Sequence, residues 1–214
     1  MRVSIIGAGL MGRGIGTRLV AGGNDVELID TDREQAETLA RELEGHGGGS
    51  ATVLDPGGSL GGEVVVLAVY YPIVAEVVRQ YAEQLGGRIV IDIANPVDFN
   101  TMDGLTTPPD TSSAEETARL VPAGTRVVKA FNTTFGITLV AGKVAGQELD
   151  VLIAGDDEEA KATVSELVKG GGLRPIDVGP LRRARQLEQL GFLHISLQDR
   201  LGTGFGSAVK FLWE

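Results

Sequence analysis

The chain holds no cysteine in its 214 residues. Disulfides, thiolate nucleophiles and cysteine-bound zinc or iron–sulfur centres are thereby excluded. Histidine is nearly as scarce, with only two residues, so imidazole acid–base chemistry could come only from His46 or His194. No apolar run is long enough to cross a bilayer. The opening MRVSIIGAG enters a strand pattern at once, with no basic segment and cleavage site before it, so the cytoplasm is the expected compartment. Cationic residues are in the minority: 19 Lys and Arg stand against 29 Asp and Glu, a formal net charge of −10. Such a surface repels phosphate backbones and anionic lipid headgroups, which argues against nucleic-acid and membrane partners.

What is present describes an ordinary soluble globule, with 43% hydrophobic residues and mixed charge. Apolar runs at Val3–Ile6, Val26–Ile29, Val64–Val69, Ile89–Ile93, Val127–Phe131, Leu149–Ala154 and Leu173–Asp177 read as strands. Several are continuously apolar, as parallel strands covered on both faces should be. Helical patterns fall between them at Met11–Ala21, Arg33–Glu44, Ile73–Gln84, Ser113–Leu120 and Glu158–Lys169. This alternation predicts an α/β fold built on a doubly wound parallel sheet with right-handed crossovers. Glycine-rich stretches at 45–50 and 55–62 read as loops around a short strand, Ala51–Leu54. The polar stretch 97–113 is a long connection, of a length that is either functional or mobile.

The segment VSIIGAGLMGRGIG sets Gly7, Gly9 and Gly12 in G-x-G-x-x-G spacing, directly after a strand and at the opening of a helix. Gly7 permits the tight turn, Gly9 lets backbone approach a pyrophosphate, and Gly12 lets helix and strand pack closely. The helix N-terminus offers free N–H groups and partial positive charge to phosphates. Asp30 ends the second strand, where an acid accepts hydrogen bonds from an adenosine ribose. A 2′-phosphate would bring like charge beside that carboxylate, and neither Thr31 nor Asp32 offsets it. Arg33 could turn outward to compensate, or pair with Asp30 or Glu37. NAD(H) is therefore favoured over NADP(H).

Further cofactor contacts are expected at the carboxyl ends of later strands, from Ala68, Val69 and Tyr70 and from Ala94, Asn95 and Pro96. Asn95 reads equally as a ligand for the nicotinamide half or as a turn-forming Asn-Pro. Tyr70 and Tyr71 could cover the nicotinamide or pack beneath the long loop. Acid–base candidates are few. His46 sits in a glycine-rich loop, while His194 and Lys129 fit structural roles. Hydride transfer between two cofactors needs stacking, distance and dryness more than a substrate-side proton relay. The segment VVKAFNTTFG offers small and aromatic residues that can lie against a flat ring. Residues 172–197 then read as a strand, a Gly-Pro turn and a long amphipathic helix with Leu187, Leu190, Leu193, His194 and Leu197 on one face. That face closes the core or makes a dimer contact.

These segments carry a resemblance. The glycine turn, VVKAFNT, LIAGDDEEAK, GLRPIDVGPL and the terminal KFLWE resemble the coenzyme F420-dependent NADP oxidoreductase family along nearly the whole chain. The late block and VVKAFN are also similar to the cytosolic flavin-reducing domain of six-transmembrane metalloreductases. The resemblance implies one compact unit, with a Rossmann core over residues 1–122 and a smaller C-terminal α/β portion over 123–214. It also implies a hydride exchanged between NAD(P)H and F420, FMN or FAD, often by a homodimer. It places the pyrophosphate loop on Ala8, Gly9, Leu10 and Met11. Nicotinamide-side contacts fall on Ala68, Val69, Asn95 and the Asn132–Gly136 region, which includes Thr133 and Gly136. Ser207 matches a position near the deazaflavin. Two departures stand out: Asp30-Thr31 replaces the family's small-residue-plus-arginine pair for the 2′-phosphate, and Asn132 replaces a histidine typical of the archaeal deazaflavin enzymes.

No side chain is expected to act as a catalytic acid or base, Asn132 being the one candidate for a direct part. Two other readings compete. GAGLMG also begins β-hydroxyacid-type dehydrogenases, but only about 60 residues follow the Leu149 strand, too few for their large helical domain. A sensor that holds NAD(H) without turnover is the second.

Overall fold

A computed structural model describes all residues, 1–214. The chain runs through β1 (Arg2–Ile6), α1 (Leu10–Ala21), β2 (Asp25–Ile29), α2 (Arg33–Glu44), β3 (Ala51–Leu54), β4 (Val64–Leu67), α3 (Tyr71–Gln80) and α4 (Ala82–Leu85). It continues through β5 (Ile89–Asp92), α5 (Ser113–Leu120), β6 (Arg126–Lys129), α6 (Gly136–Ala141) and the two short strands β7 (Lys143–Val144) and β8 (Gln147–Glu148). The last elements are β9 (Asp150–Gly155), α7 (Glu158–Gly170), β10 (Arg174–Gly179), α8 (Ala184–Ser196) and α9 (Gln198–Leu201).

Eight strands form one sheet in the order β10-β9-β6-β5-β4-β1-β2-β3. From β3 to β6 all neighbours are parallel, each joined through a helical or loop crossover. The last pair is parallel internally, but β9 lies antiparallel to β6. The sheet is the expected doubly wound parallel one, with a single antiparallel junction where the C-terminal portion joins it. Between β6 and β9 the chain makes only α6 and the β7–β8 ribbon, so it returns alongside β6 in the opposite direction. One apolar face packs Val3, Ile5, Val26 and Leu28 against α1, α2 and α7. The other packs Ile6, Ile29, Val65 and Leu67 against α3, α4 and α5. No helix is long and apolar enough to cross a membrane.

Local signals explain most boundaries. Asp32, Ser112 and Asp157 cap α2, α5 and α7 by accepting from the backbone N–H three residues on. The expected helix at 73–84 instead begins at Tyr71 and breaks at Tyr81. Pro72 is tolerated in a first helical turn, so the start moves forward. Tyr81 sends its ring into the core, and its hydroxyl accepts from the Gly57 N–H at 2.7 Å. Strands β4, β5 and β6 each end before the apolar run does. Phe131 sits in left-handed backbone at φ 62°, which takes the chain out of the sheet before Asn132.

At the carboxyl ends of β5 and β6 lies a fully buried charge cluster. The Lys129 ammonium donates to Asp92 Oδ1 and Glu188 Oε1, both at 2.8 Å, and to the Ala94 carbonyl. Asp92 also accepts from the hydroxyls of Ser113 and Thr117, and Glu188 accepts from the Ser113 N–H. Burial works against the Lys129 charge, but the two carboxylates outweigh it and raise its pKa. Burial pushes the Glu188 carboxyl up, with Lys129 opposing the shift and the negative Asp92 adding to it. Removing the cation strands two acids in the interior. Lys129→Met is expected to destabilise the fold by about 3–5 kcal/mol in urea unfolding, and adding Glu188→Gln to recover part of that loss.

Candidate functional site

The turn after β1 is shaped by close backbone contact. Gly7 has φ 109°, and a Cβ there would lie 2.3 Å from the Ala68 carbonyl oxygen. A Cβ on Gly12 would lie 2.0 Å from the Gly7 carbonyl oxygen. Both glycines are required by the fold itself. Gly9 differs: a Cβ there would meet no protein atom within 4 Å. The Gly9 backbone therefore faces open space at the N-terminus of α1, where N–H groups have no partner within the helix. Packing within the chain does not require glycine at that position.

Asp30 is bound into the same turn. Its Oδ2 accepts from the Ala8 N–H at 2.7 Å and its Oδ1 from the Asp32 N–H at 2.9 Å. Arg33 pairs with Glu37 through Nε at 2.7 Å and with Asp55 through Nη1. Of the alternatives open in the sequence, the guanidinium takes Glu37 and, from the loop after β3, Asp55. Thr31 is exposed beside it. An open cleft of about 650 Å³ adjoins the turn, lined by Ala8, Gly9, Leu10, Arg13, Asp32 and Gln35 among others. It lies between α1 and α2, not over the ends of β4, β5 and β6.

Over those ends sit the remaining expected residues. Ala68 and Val69 are half-buried beside Gly7, and Met11 is half-buried in the first turn of α1. Tyr70 stands at the rim, 73% exposed, with its ring edge-on to Phe99 of the long loop. Tyr71 turns inward. Its hydroxyl donates to Glu116 at 2.7 Å, and burial followed by that carboxylate pushes its pKa up. Pro96 is buried, and its carbonyl anchors the long loop by accepting from the Thr106 N–H at 2.7 Å.

Asn95 and Asn132 form a reciprocal pair. Asn95 Nδ2 donates to the Asn132 carbonyl at 2.7 Å, and Asn132 Nδ2 donates to Asn95 Oδ1 and to the Leu187 carbonyl, both at 2.9 Å. Asn132 and Thr133 are buried, as is Gly136. The Asn132 side chain is thus fastened to α8 and to Asn95, and reaches the site surface only through Asn95. A Cβ on Gly191 would lie 2.6 Å from Asn95 Oδ1, so α8 presses its backbone directly onto this pair.

The inward stripe along α8 is largely the expected one, with Leu187 and His194 buried and Leu190 and Leu197 half-buried, but Leu193 turns out and Glu188 and Gly191 turn in. Leu193 is 53% exposed, while Leu187, Glu188, Gly191 and His194 are buried. The inward stripe is partly polar because its partners are polar. His194 Nδ1 lies 3.2 Å from the Thr133 carbonyl and Nε2 lies 2.8 Å from Ser207 Oγ. The carbonyl can only accept, so Nδ1 carries the proton and Nε2 accepts from the Ser207 hydroxyl. Burial lowers the His194 pKa, only partly opposed by the Thr133 contact, and the ring is neutral at pH 7. Phe135 stacks on that imidazole with ring centroids 4.3 Å apart, and Phe205 meets Phe135 edge-on at 5.0 Å. His46 lies exposed in its loop, away from this assembly.

Gly191, Phe205 and the Lys129 cluster were not singled out from the sequence as parts of the site. Gly191 had a signal, a glycine inside an amphipathic helix. Lys129 and Asp92 had another, charges within apolar strands. Phe205, in an irregular tail, had none.

A Rossmann-like sheet with this glycine turn and an acid bound to it at the end of β2 defines a dinucleotide-binding protein, and the relatives of this chain make it a nicotinamide-dependent oxidoreductase. The family model "NADP oxidoreductase coenzyme F420-dependent" matches residues 2–96. The F420-dependent NADP reductase of Methanocaldococcus jannaschii is 31% identical, over 95% of this chain and 96% of that protein. The metalloreductase STEAP3 of Rattus norvegicus is 34% identical over 88% of this chain but 36% of its own length, so the chain spans about a third of that relative. A solved structure from Arthrobacter sp. FB24, described as a candidate F420-dependent NADP reductase, superposes with TM-score 0.84 at 28% identity, over 99% of each chain. The chain belongs to the F420-dependent NADP oxidoreductase family.

Because no protein atom needs the space above Gly9, Gly9→Ala is expected to change folding stability by no more than about 0.5 kcal/mol. The same substitution should weaken binding of the nicotinamide dinucleotide about tenfold or more, near 1.4 kcal/mol. Thermal unfolding and a fluorescence titration with NADH measure the two quantities on one preparation.

Proposed function

We propose that this protein transfers a hydride between NADH and a deazaflavin such as F420, with FMN or FAD as the alternative acceptor. The observation that carries the reading is the aromatic wall of Phe135, backed by neutral His194 and edged by Phe205, at the open end of the sheet beside the glycine turn. A Cβ on Gly136 would lie 2.3 Å from the Leu10 carbonyl oxygen, so the wall and the turn are in direct contact. When bound, the nicotinamide supplies the hydride and its two electrons, and the acceptor ring takes them. The residues of the chain act by position. The N-terminus of α1 with Ala8, Gly9, Leu10 and Met11 receives the pyrophosphate, while Ala68, Val69 and Asn95 border the nicotinamide. Asn132 and Thr133 hold Asn95 and His194 in place, and Ser207 lies at the acceptor's edge. Residues 1–122 serve the dinucleotide and residues 123–214 the acceptor. Exposed Leu193 and Leu201 supply apolar surface for the homodimer that the family resemblance implies.

The preference for NADH rests on charge. Asp30 keeps lone pairs free for ribose hydroxyls, and Arg33 is already held by Glu37 and Asp55. A 2′-phosphate beside Asp30 would meet a repulsion of about 4 kcal/mol per unit charge pair at contact in a partly desolvated corner. The family resemblance implies a small-residue-plus-arginine pair for the 2′-phosphate where this chain has Asp30-Thr31. Neutral His194 adds no charge at the ring, which suits a step needing exclusion of water more than a proton relay.

Anaerobic mixing of the protein and NADH with F420, and separately with FMN, tests the reading by absorbance. Reduction of one acceptor with oxidation of NADH is expected; no change with either acceptor, from NADH or NADPH, would overturn it. Asp30→Ala should narrow the ratio of NADPH to NADH dissociation constants, and an unchanged ratio would remove the role given to that carboxylate.

A further inference from the structure

Residues 202–214 form no helix or strand, yet they are held at two separated points. A terminal segment stays ordered only where it is tied down. Near its start, the Thr203 hydroxyl donates to Gln198 Oε1 at 2.5 Å, and Ser207 Oγ is bound by Gln198 Nε2 at 2.9 Å as well as by His194. Near its end the anchor is Asp150, the first residue of β9, whose side chain is 1% exposed. Phe205 lies between the two residues of the first anchor, Thr203 and Ser207, in left-handed backbone at φ 64°, with its ring against Phe135.

Asp150 receives more donors than the sheet requires. Its register partner on β10 is Arg174, which donates to both carboxylate oxygens, at 2.7 Å through Nε and 2.6 Å through Nη2. That bidentate pair alone neutralises the acid and satisfies its position in the sheet. Two further donors come from the tail: Lys210 Nζ at 2.6 Å and the Phe211 N–H at 2.8 Å. Arg174 returns a bond to the Phe211 carbonyl, and its guanidinium lies 4.2 Å over the Trp213 ring. Burial works to raise the Asp150 carboxyl, but the bonds from Arg174, Lys210 and Phe211 outweigh it and hold it below the usual carboxylate range. The surplus donors have one structural effect, which is to fasten the tail.

We infer that Asp150 is a positioning residue for the hydride acceptor: through Lys210 and Phe211 it tethers the C-terminal tail, so that Phe205 and Ser207 stay in place as one wall of the acceptor site. The inference rests on the acceptor reading above. It adds a carboxylate at the start of β9, which touches neither ring, to the groups that set acceptor affinity. Without the Asp150 bonds the end of the tail keeps only the Arg174 contacts to the Phe211 carbonyl and Trp213 and the Lys210 bond to the Glu148 carbonyl, and each acceptor molecule must then order the loosened segment on binding, which weakens association.

The chain has a single tryptophan, Trp213, so intrinsic fluorescence reports the tether directly. Asp150→Asn keeps the shape of the side chain and removes its charge. Lys210→Met leaves the Asp150–Arg174 pair intact and loosens only the tail, and it carries the test if the first variant does not fold by circular dichroism. Either variant is expected to lower Trp213 anisotropy, to raise KM for F420 or FMN about tenfold, and to leave NADH affinity within about twofold. Unchanged anisotropy in both variants overturns the tether. Lowered anisotropy with unchanged acceptor KM overturns the positioning role, and an equal loss of NADH and acceptor affinity reduces Asp150 to a general structural part. If the unaltered protein reduces no acceptor, the acceptor reading fails and the positioning role with it. That failure is distinct from a failed tether, because the anisotropy is measured without any acceptor.

Discussion

Lys129 carries its charge at the centre of the molecule with no exposed atom, and β5, β6, α5 and α8 converge on it. An ammonium in that position is tolerable only with oxygen partners around it. Asp92 supplies one from the neighbouring strand, the Ala94 carbonyl another, and Glu188 the third from a helix distant in sequence. The cluster thereby decides where α8 sits on the sheet. Once Glu188 is placed, the next inward positions of the helix follow: Leu187 offers its carbonyl to Asn132, Gly191 meets Asn95, and His194 meets Thr133. The tail then depends on α8 and α9 through His194 and Gln198. A polar interaction in the core thus determines the placement of Asn95, Asn132, His194 and the start of the tail.

The two halves of the site are stabilised by different physics. At the glycine turn the constraint is steric and local, since Gly7 and Gly12 answer to protein atoms within a few residues of the strand or one strand away. At the aromatic wall the constraint is a stack of rings and hydrogen bonds drawn from α6, α8 and the tail. The halves join where α6 packs on α1. A Cβ on Gly14 would lie 2.7 Å from the Gly136 carbonyl oxygen, so the two backbones approach with no side chain between them. This contact fixes the distance between the aromatic wall and the glycine turn.

Much of this was legible along the chain. The alternation of apolar runs and helical patterns identified the major strands and helices, and the glycine spacing with Asp30 identified the turn, because these signals are local and repeat with the period of the element. Three features escaped. α6 is too short to display a helical period. The reversed direction of β9 depends on how α6 and the β7–β8 ribbon turn the chain, which no residue pattern announces. On the inward stripe of α8 and its continuation, Leu187 and His194 were read correctly, but buried Glu188 and Gln198 were not, because they turn inward to polar partners, and Leu193 was wrongly included.

The amino-acid sequence by itself determined the β–α order, the caps at Asp32, Ser112 and Asp157, the tight turn at Gly7 and the acid that meets it, since each follows from backbone sterics and hydrogen bonding within a short segment. Its similarity to known chains further marked the family. Tertiary structure alone decided which charges pair in the interior, that Asn95 and Asn132 hold one another, and that Phe135, His194, Phe205 and Ser207 come together. The reason is range. Those contacts join residues tens of positions apart, and their energies depend on burial and geometry that exist only after the sheet and helices have assembled.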